Sequence, residues 1–146
     1  MAVMQEESHF RAAIETRHQR LLGVLPWQHI TSAKGYAQAL DGTWRAYLHA
    51  MHKKSASRSD FSNAADFLGW YMGRLHSATG VSRNDAFRLY LAYHEGAGGY
   101  HARSYLSKPW LIDIARHVSG RAQRYHRQLV RCHASLPSRP WWHFWS

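Results

Sequence analysis

The stretch that decides the fold is residues 59–80, which read SDFSNAADFLGWYMGRLHSATG. Its apolar residues recur at spacings of three and four, which is the pattern of a helix that buries one face. Ser59 or Asp60 is expected to cap its start. Gly80 is expected to end it, because glycine readily adopts the left-handed backbone that follows many helices. The stretch therefore predicts a long amphipathic helix.

Helical patterns also lie on both sides of this stretch. Before it, Asp41 or Thr43 is expected to cap a short helix. After it, Ser82 is expected to begin a helix with Asp85 in the capping-box position, and the glycine-rich residues 96–99 are expected to end that helix. Successive helices that each bury one stripe indicate a helical domain with a shared core.

The two outer parts of the sequence predict helices as well. Residues 1–14 are compatible with a helix, with Val3, Phe10 and Ile14 on its buried face. Pro109 suits the first turn of a last, long helix whose polar faces carry arginines. No segment alternates with period two for long enough to predict a strand. The fold class is therefore all-α, with a small irregular or hairpin element around residues 24–40.

The composition is that of one folded and strongly basic domain. The chain has 146 residues, 45% of them hydrophobic, and carries 19 Lys and Arg against 9 Asp and Glu, for a net charge of +10. No apolar run approaches the roughly 20 residues that a membrane helix needs. The charge favours an anionic partner such as nucleic acid, a membrane surface or an acidic polymer, and a solvated basic surface is the alternative.

Cysteine and histidine give no sign of a metal centre. The single cysteine, Cys132, excludes an internal disulfide and a cysteine-based metal cage. His49 and His52 are three residues apart on a predicted helix, but no third ligand stands near them in the sequence. We therefore expect no metal and no cofactor.

Few acidic residues remain as candidates for proton transfer once capping and pairing with arginine are considered. Glu6, Glu7 and Glu95 are left. Helical periodicity places Glu7 on the apolar face with Val3 and Phe10, while Glu6 points about 100° away. A carboxyl held against apolar surface has a raised pKa, which suits a general acid near neutral pH. A solvated glutamate is the ordinary alternative at such a position.

Three short segments follow one another along the chain: Glu7-Ser8, Gly35-Tyr36-Ala37-Gln38 and Ala92-Tyr93-His94-Glu95-Gly96. In this order they resemble the signature segments of the soluble lytic transglycosylase family, which belongs to the lysozyme-like superfamily. The wider stretches 35–44, 91–100 and 108–111 also resemble a proteobacterial branch of that family. The resemblance covers about residues 1–132 and implies a lysozyme-like helical domain with a truncated N-terminal helix, followed by a Trp-rich tail, residues 133–146.

The resemblance implies a role for individual residues. Glu7 matches the catalytic acid/base, and Ser8 matches a neighbour that contacts the substrate or orients the acid. Tyr36 and Gln38 lie in the segment that lines the cleft, where Tyr36 replaces the usual leucine. Tyr93 matches a tyrosine whose hydroxyl can hydrogen-bond the catalytic carboxyl.

Glu95 is a departure from the family pattern, because His94-Glu95 stands where Asn-Ala is usual. A second carboxylate near the site could support hydrolysis through a bound water. It could equally bind a loop amide or an arginine, and we favour this structural role.

The implied reaction is cleavage of the β-1,4 bond between N-acetylmuramic acid and N-acetylglucosamine in peptidoglycan, with formation of a 1,6-anhydro ring. It uses one glutamate, no metal and no water. The implied partner is the peptidoglycan glycan strand rather than nucleic acid. We expect a monomer that acts in the periplasm or cell envelope, although the sequence shows no export signal.

Two alternatives from other classes stay open. The chain could be a non-enzymatic basic module that binds nucleic acid, anionic lipid or cell wall, including a catalytically inactive cell-wall binder. The tail could dock on the domain, contact a membrane interface or stack on sugars. Its aromatic residues are Trp141, Trp142, Phe144 and Trp145.

Overall fold

The computed structural model describes residues 1–12 and 32–133, which form five α-helices and one 3-10 helix. The helices are α1 (Ala2–Ser8), α2 (Asp41–Ala50), α3 (Phe61–Thr79), α4 (Ala86–His101), the 3-10 helix (Ser104–Ser107) and α5 (Pro109–His133). This part of the chain contains no β-strand, which confirms the all-α fold class. An isolated antiparallel bridge joins Lys34 to Ala39 around a tight turn. This bridged turn lies within the irregular or hairpin element predicted around residues 24–40, of which 24–31 are outside the described residues.

Both predicted ends of α3 are confirmed. The Asp60 carboxylate accepts a hydrogen bond from the Asn63 backbone N–H at 2.8 Å, which is the geometry of an N-cap. Gly80 follows the last turn with φ 73°, the left-handed conformation expected of it. The last helix begins at Pro109, also as predicted.

Two predicted helix starts are wrong. α4 begins after Asp85 rather than at Ser82, because the Asp85 side chain is itself the cap and accepts from the backbone N–H three residues on, at 2.9 Å. α2 begins after Leu40, and no side chain caps it. Asp41 lies in its first turn instead, where a negative charge is favourable near the helix N-terminus.

α1 is much shorter than the predicted helix over residues 1–14. It ends at Ser8, and the next two residues, His9 and Phe10, have φ values of 50° and 59°. A helix cannot continue through two left-handed residues, so the chain turns away immediately after Ser8. Ile14, expected on the buried face, lies outside the described residues.

α4 differs from its prediction at the glycine-rich segment. The helix does not end there but kinks at Gly96, which has φ 71° and ψ 167°, and then continues to His101. The turn after the kink packs closely against the 3-10 helix. A Cβ added at Gly99 would lie 3.1 Å from the Ser104 hydroxyl, so this position has little room for a side chain.

α1 lies between two apolar clusters, and this burial positions its last turn. Met4 is fully buried in a cluster formed with α2, α3 and the bridged turn. Ala2 is buried in a second cluster formed with α4 and α5. A seven-residue helix is not stable alone, so contacts on both sides must hold it in place.

α5 buries one face and leaves its outer end exposed. Leu111, Ala115 and Val118 are buried against α4 and α1, while residues 123–132 are exposed apart from Tyr125. Among the residues that the structure describes, no helix is both long enough and apolar enough to cross a membrane.

Candidate active site

The contact between α1 and α4 places a carboxyl against a tyrosine. Glu7, in the last turn of α1, is partly buried, and its Oε1 accepts a hydrogen bond from the Tyr90 hydroxyl at 2.9 Å. Tyr90 is itself buried, at 4% exposure. Glu7 is therefore held by an interior side chain while part of its surface stays accessible.

This environment changes the acidity of Glu7. Burial raises the pKa of the Glu7 carboxyl from its ordinary value of 4.5 to about 7. The hydrogen bond from Tyr90 acts in the opposite direction, since it stabilises the carboxylate, and the neighbouring charge of Glu6 raises the pKa further. A carboxyl with a pKa near 7 exists in both protonation states at neutral pH, which is what a group that first donates and then accepts a proton requires.

Two polar contacts tie α1 to α5. Arg121 forms an ion pair with Glu6, and the Tyr125 hydroxyl donates to the side-chain oxygen of Gln5. The first contact neutralises the carboxylate next to Glu7 in sequence. Together they fix the rotation of α1 about its axis, and therefore the direction in which Glu7 points.

Ser8 is buried and its hydroxyl already has a partner. Its exposure is 0%, and its Oγ donates to the Met4 carbonyl one turn earlier at 3.0 Å. A direct contact with substrate, one of the two roles that the resemblance implies, does not fit this burial. The burial favours the other role, that of orienting the acid, and this role stays a prediction.

Tyr93 lies near Glu7, but the predicted hydrogen bond between them is wrong. The Tyr93 hydroxyl donates to the Ala37 carbonyl in the bridged turn, and Tyr90 binds Glu7 instead. Burial and then the charge of Glu7 raise the pKa of the Tyr93 phenol, in keeping with their proximity. Sequence reasoning missed Tyr90, although it precedes Tyr93 by three residues and so shares its helix face.

The bridged turn, residues 35–38, has a conformation that depends on Gly35. Gly35 has φ 73°, and a Cβ there would overlap the backbone of Arg58. The Tyr36 backbone N–H donates to the Arg58 carbonyl at 3.2 Å. The Gln38 side-chain amide donates to the Gly35 carbonyl at 2.8 Å, which closes the turn. The predicted role of Gln38 in binding substrate stays a prediction.

The Arg58 side chain holds the ends of the same segment. Its guanidinium donates to the carbonyls of Ser32 and Ala39 at 3.1 Å and 2.9 Å, and pairs with the Asp41 carboxylate at 2.7 Å. One side chain therefore joins the segment before the turn, the segment after it and the first turn of α2.

Glu95 belongs to a separate network at the far end of α4. Its carboxylate accepts from Lys108 at 2.7 Å, from His94 at 3.0 Å and from the Ser104 hydroxyl, and its side chain is 4% exposed. Burial acts to raise the pKa of Glu95, but the hydrogen bonds from Lys108, Ser104 and His94 outweigh it and lower the pKa. These contacts favour the structural alternative, with lysine in place of the expected arginine.

Other predicted features lie elsewhere. His49 and His52 are exposed, and within residues 1–12 and 32–133 no group of three or more histidine, cysteine or acidic side chains is placed to hold a metal ion. The aromatic residues of the tail, Trp141, Trp142, Phe144 and Trp145, lie outside the described residues.

A model of the transglycosylase SLT domain matches residues 1–132 of this chain. The match includes Glu7, the bridged turn and the Tyr90–Tyr93 face of α4. No curated protein sequence and no solved structure shows significant similarity to the chain. Because the match covers most of its length, the chain belongs to the transglycosylase SLT domain family, a lysozyme-like, all-α family of lytic transglycosylases that act on peptidoglycan.

Proposed function

We propose that this protein cleaves the β-1,4 bond between N-acetylmuramic acid and N-acetylglucosamine, forms a 1,6-anhydro ring, and uses Glu7 as its single acid and base. The observation that carries this proposal is the carboxyl of Glu7, partly buried, hydrogen-bonded to Tyr90 and with a pKa of about 7. It lies in a chain whose family cleaves glycan strands.

In the first step, protonated Glu7 donates its proton to the oxygen that links the two sugars. The bond between that oxygen and C1 of the muramic acid breaks, and the N-acetylglucosamine leaves with a new hydroxyl. The carbonyl oxygen of the muramic acid's own N-acetyl group stabilises the positive charge at C1. Burial favours this step, since it keeps Glu7 protonated at a pH where an exposed glutamate is ionised.

In the second step, the Glu7 carboxylate takes the proton from the 6-hydroxyl of the same sugar. O6 then bonds to C1 and closes the anhydro ring, and Glu7 returns to its protonated form. The Tyr90 hydroxyl donates to the carboxylate and so stabilises the ionised form between the two steps. The two steps together consume no water.

The other two candidate carboxylates are engaged, which supports a mechanism with one acid. Glu6 is paired with Arg121, and Glu95 is held by Lys108 and its neighbours. A hydrolytic route needs a second carboxylate free to activate water. Neither of these two side chains is in that position.

Mass spectrometry of digested peptidoglycan sacculi tests the proposal. The wild type should release fragments lighter by one water than the corresponding hydrolysis products, and Glu7→Gln should release none above background. Fragments that end in an ordinary reducing sugar, heavier by one water, would show that the enzyme is a hydrolytic muramidase instead. Equal release by wild type and Glu7→Gln would remove Glu7 from its role.

A Glu95→Gln variant tests the assignment of the second carboxylate. Removing one partner of a buried ion pair leaves Lys108 uncompensated and is expected to lower the free energy of unfolding by about 3–5 kcal/mol. The products should nevertheless keep their anhydro ends. A change of product chemistry would place Glu95 in the reaction.

We infer that the protein acts in the periplasm or cell envelope, where peptidoglycan lies. The exposed arginines of α5 suit the acidic peptide stems of that polymer. A non-enzymatic basic module would instead shift nucleic acid in a gel at moderate salt and release nothing from sacculi.

A further inference from the structure

Three aromatic rings meet where the chain leaves α1, the helix that carries the candidate acid. The Phe61 ring, in the first turn of α3, lies 6.5 Å from the Phe10 ring and 5.5 Å from the Tyr36 ring, centroid to centroid. The Tyr36 ring meets Phe61 edge to face, at 85°. We call Phe10, Tyr36 and Phe61 the aromatic cluster.

The aromatic cluster is open to solvent. Phe10 is 36% exposed and Phe61 is 41% exposed, while Tyr36 is partly buried. One exposed phenylalanine on a surface needs no explanation, but contiguous rings from three separate segments form an apolar patch of the kind that binds a ligand.

Phe10, whose ring contributes to the patch, has an unusual backbone conformation. Phe10 has φ 59°, directly after His9 at φ 50°. A left-handed residue often follows a helix, but a second one with a bulky side chain is uncommon and costs on the order of 1–3 kcal/mol. Neither residue is a glycine, which would adopt this conformation without the energetic cost.

The aromatic cluster is connected to Glu7 in two ways, along the chain and through a series of side-chain contacts. Phe10 is three residues after Glu7, so their Cα atoms are at most about 11 Å apart. Tyr36 is next to Ala37, whose carbonyl binds the Tyr93 hydroxyl, and the Tyr93 ring stacks on Tyr90 at 6.4 Å. Tyr90 in turn holds the Glu7 carboxyl.

We propose that the aromatic cluster is a sugar-stacking subsite, which binds one N-acetylated pyranose of the glycan strand next to the bond that Glu7 cleaves. The inference rests on the proposed function for the identity of the glycan. The face of a β-linked pyranose carries axial C–H groups, which pack on the exposed face of an aromatic ring. The polar hydroxyl of Tyr36 suits the hydroxyl groups at the sugar's edge, as an amphipathic ring does at a wet interface.

The test measures binding in a chain that does not cleave. In a Glu7→Gln background, Phe61→Ala and Phe61→Trp are titrated with a soluble β-1,4-linked N-acetylglucosamine oligosaccharide by calorimetry. Phe61→Ala should weaken binding about five- to tenfold, the loss of one ring contact, and Phe61→Trp should restore affinity to within about twofold. The control is Leu106→Ala on the 3-10 helix, an exposed apolar side chain outside the cluster, which should change nothing. Thermal melts verify that each variant is folded.

With the catalytic glutamate present, Phe61→Ala should raise KM on sacculi more than it lowers kcat, because the ring contacts a sugar and not the reacting atoms. Unchanged oligosaccharide affinity in Phe61→Ala would overturn the subsite, whatever the enzyme releases from sacculi. So would a Phe61→Ala variant that loses binding to anionic phospholipid vesicles but not to the oligosaccharide. Failure of the wild type to release anhydro fragments would overturn the proposed function alone, since the binding test does not depend on cleavage.

Discussion

At the scale of single residues, the proposed chemistry depends on a balance at Glu7. Burial favours the neutral carboxyl and the Tyr90 hydroxyl favours the carboxylate, and the pKa of about 7 is the result. Stronger burial alone would give a group that cannot release its proton, whereas a solvated group would not hold one. Tyr90 is therefore a positioning residue that also sets acidity.

Tyr90→Phe tests this balance. Loss of the hydroxyl removes a hydrogen bond to the charged form, worth about 1.5–3 kcal/mol, so the pKa of Glu7 should rise by about one unit or more. The alkaline limb of the kcat/KM profile should shift to higher pH by the same amount. Tyr125→Phe removes the contact with Gln5 that helps to orient α1, but no hydrogen bond to Glu7. It should therefore lower the rate without moving the alkaline limb. A limb that does not move in Tyr90→Phe would contradict the role given to this hydroxyl.

Glu7 should also make stability depend on pH. Its pKa is 4.5 when unfolded and about 7 when folded, so between these values the folded state binds more protons and stability falls as pH rises. Above pH 7 the full penalty applies, and this shift gives an upper bound of roughly 3 kcal/mol. Glu7→Gln should thus be more stable than wild type at pH 8 by about 1–3 kcal/mol, with a smaller difference at pH 5, in urea unfolding. Asp113→Asn, which removes an exposed carboxylate paired with Arg116, is the matched charge-removing control at the surface.

The sequence indicated the acid more clearly than its surroundings. Glu7 could be predicted as a candidate because few acidic residues remained after helix capping and pairing with arginine were considered. Helical spacing also placed it beside apolar residues. The role of Tyr90 could not be predicted in this way. Tyr90 and Tyr93 lie on one helix face, and spacing does not tell which of them points at α1. The contacts of Phe10 and Phe61 join residues about fifty positions apart and have no local signal.

At the scale of elements, the bridged turn links the acid's surroundings to α3. Tyr93 and Arg58 both bind its backbone, and Gly35 supplies the backbone conformation that lets Arg58 approach. A change at Gly35 is therefore expected to displace the wall of the site without touching Glu7.

Gly35→Ala and Gly42→Ala form a matched pair for this expectation. A methyl group at position 35 would overlap the Arg58 backbone, and the alanine would have to adopt a positive φ. This variant should therefore lose several kcal/mol of stability and most of its activity on sacculi. Gly42 lies in α2 with nothing within 4 Å of an added Cβ, so its variant should be neutral or up to about 1 kcal/mol more stable. Equal effects of the two, in unfolding and turnover assays, would show that the turn has no special requirement.

Helix existence was predictable, but helix ends were not always so. Asp60, Gly80 and Pro109 are strong local signals, and the structure follows them. α1 ends at two left-handed residues that no glycine or proline marks. At Gly96 the expected end is a kink, because the following turn packs against the 3-10 helix and continues as helix there. At Gly96 tertiary packing overrides the local preference.

At the scale of the whole molecule, the net charge of +10 should assist binding of an acidic polymer. Arg124, Arg127 and Arg131 lie on the exposed outer end of α5. KM on sacculi should therefore rise several-fold between about 50 and 300 mM salt, because exposed charges are screened over this range. Binding of the uncharged oligosaccharide by Glu7→Gln should change less than about twofold. Equal salt dependence for both would mean that charge does not select the polymer.

Arg58 helps to arrange two rings of the aromatic cluster, Tyr36 and Phe61, before any ligand binds. Its side chain and carbonyl bind the segment that carries Tyr36, and Phe61 lies three residues after Arg58, at the start of α3. The two rings thus keep their spacing before any glycan arrives. The conformational entropy of arranging them is lost once, when the chain folds, and not again at each encounter with a strand. Association should accordingly need no slow rearrangement step, and its rate should be that of simple collision with an already shaped surface.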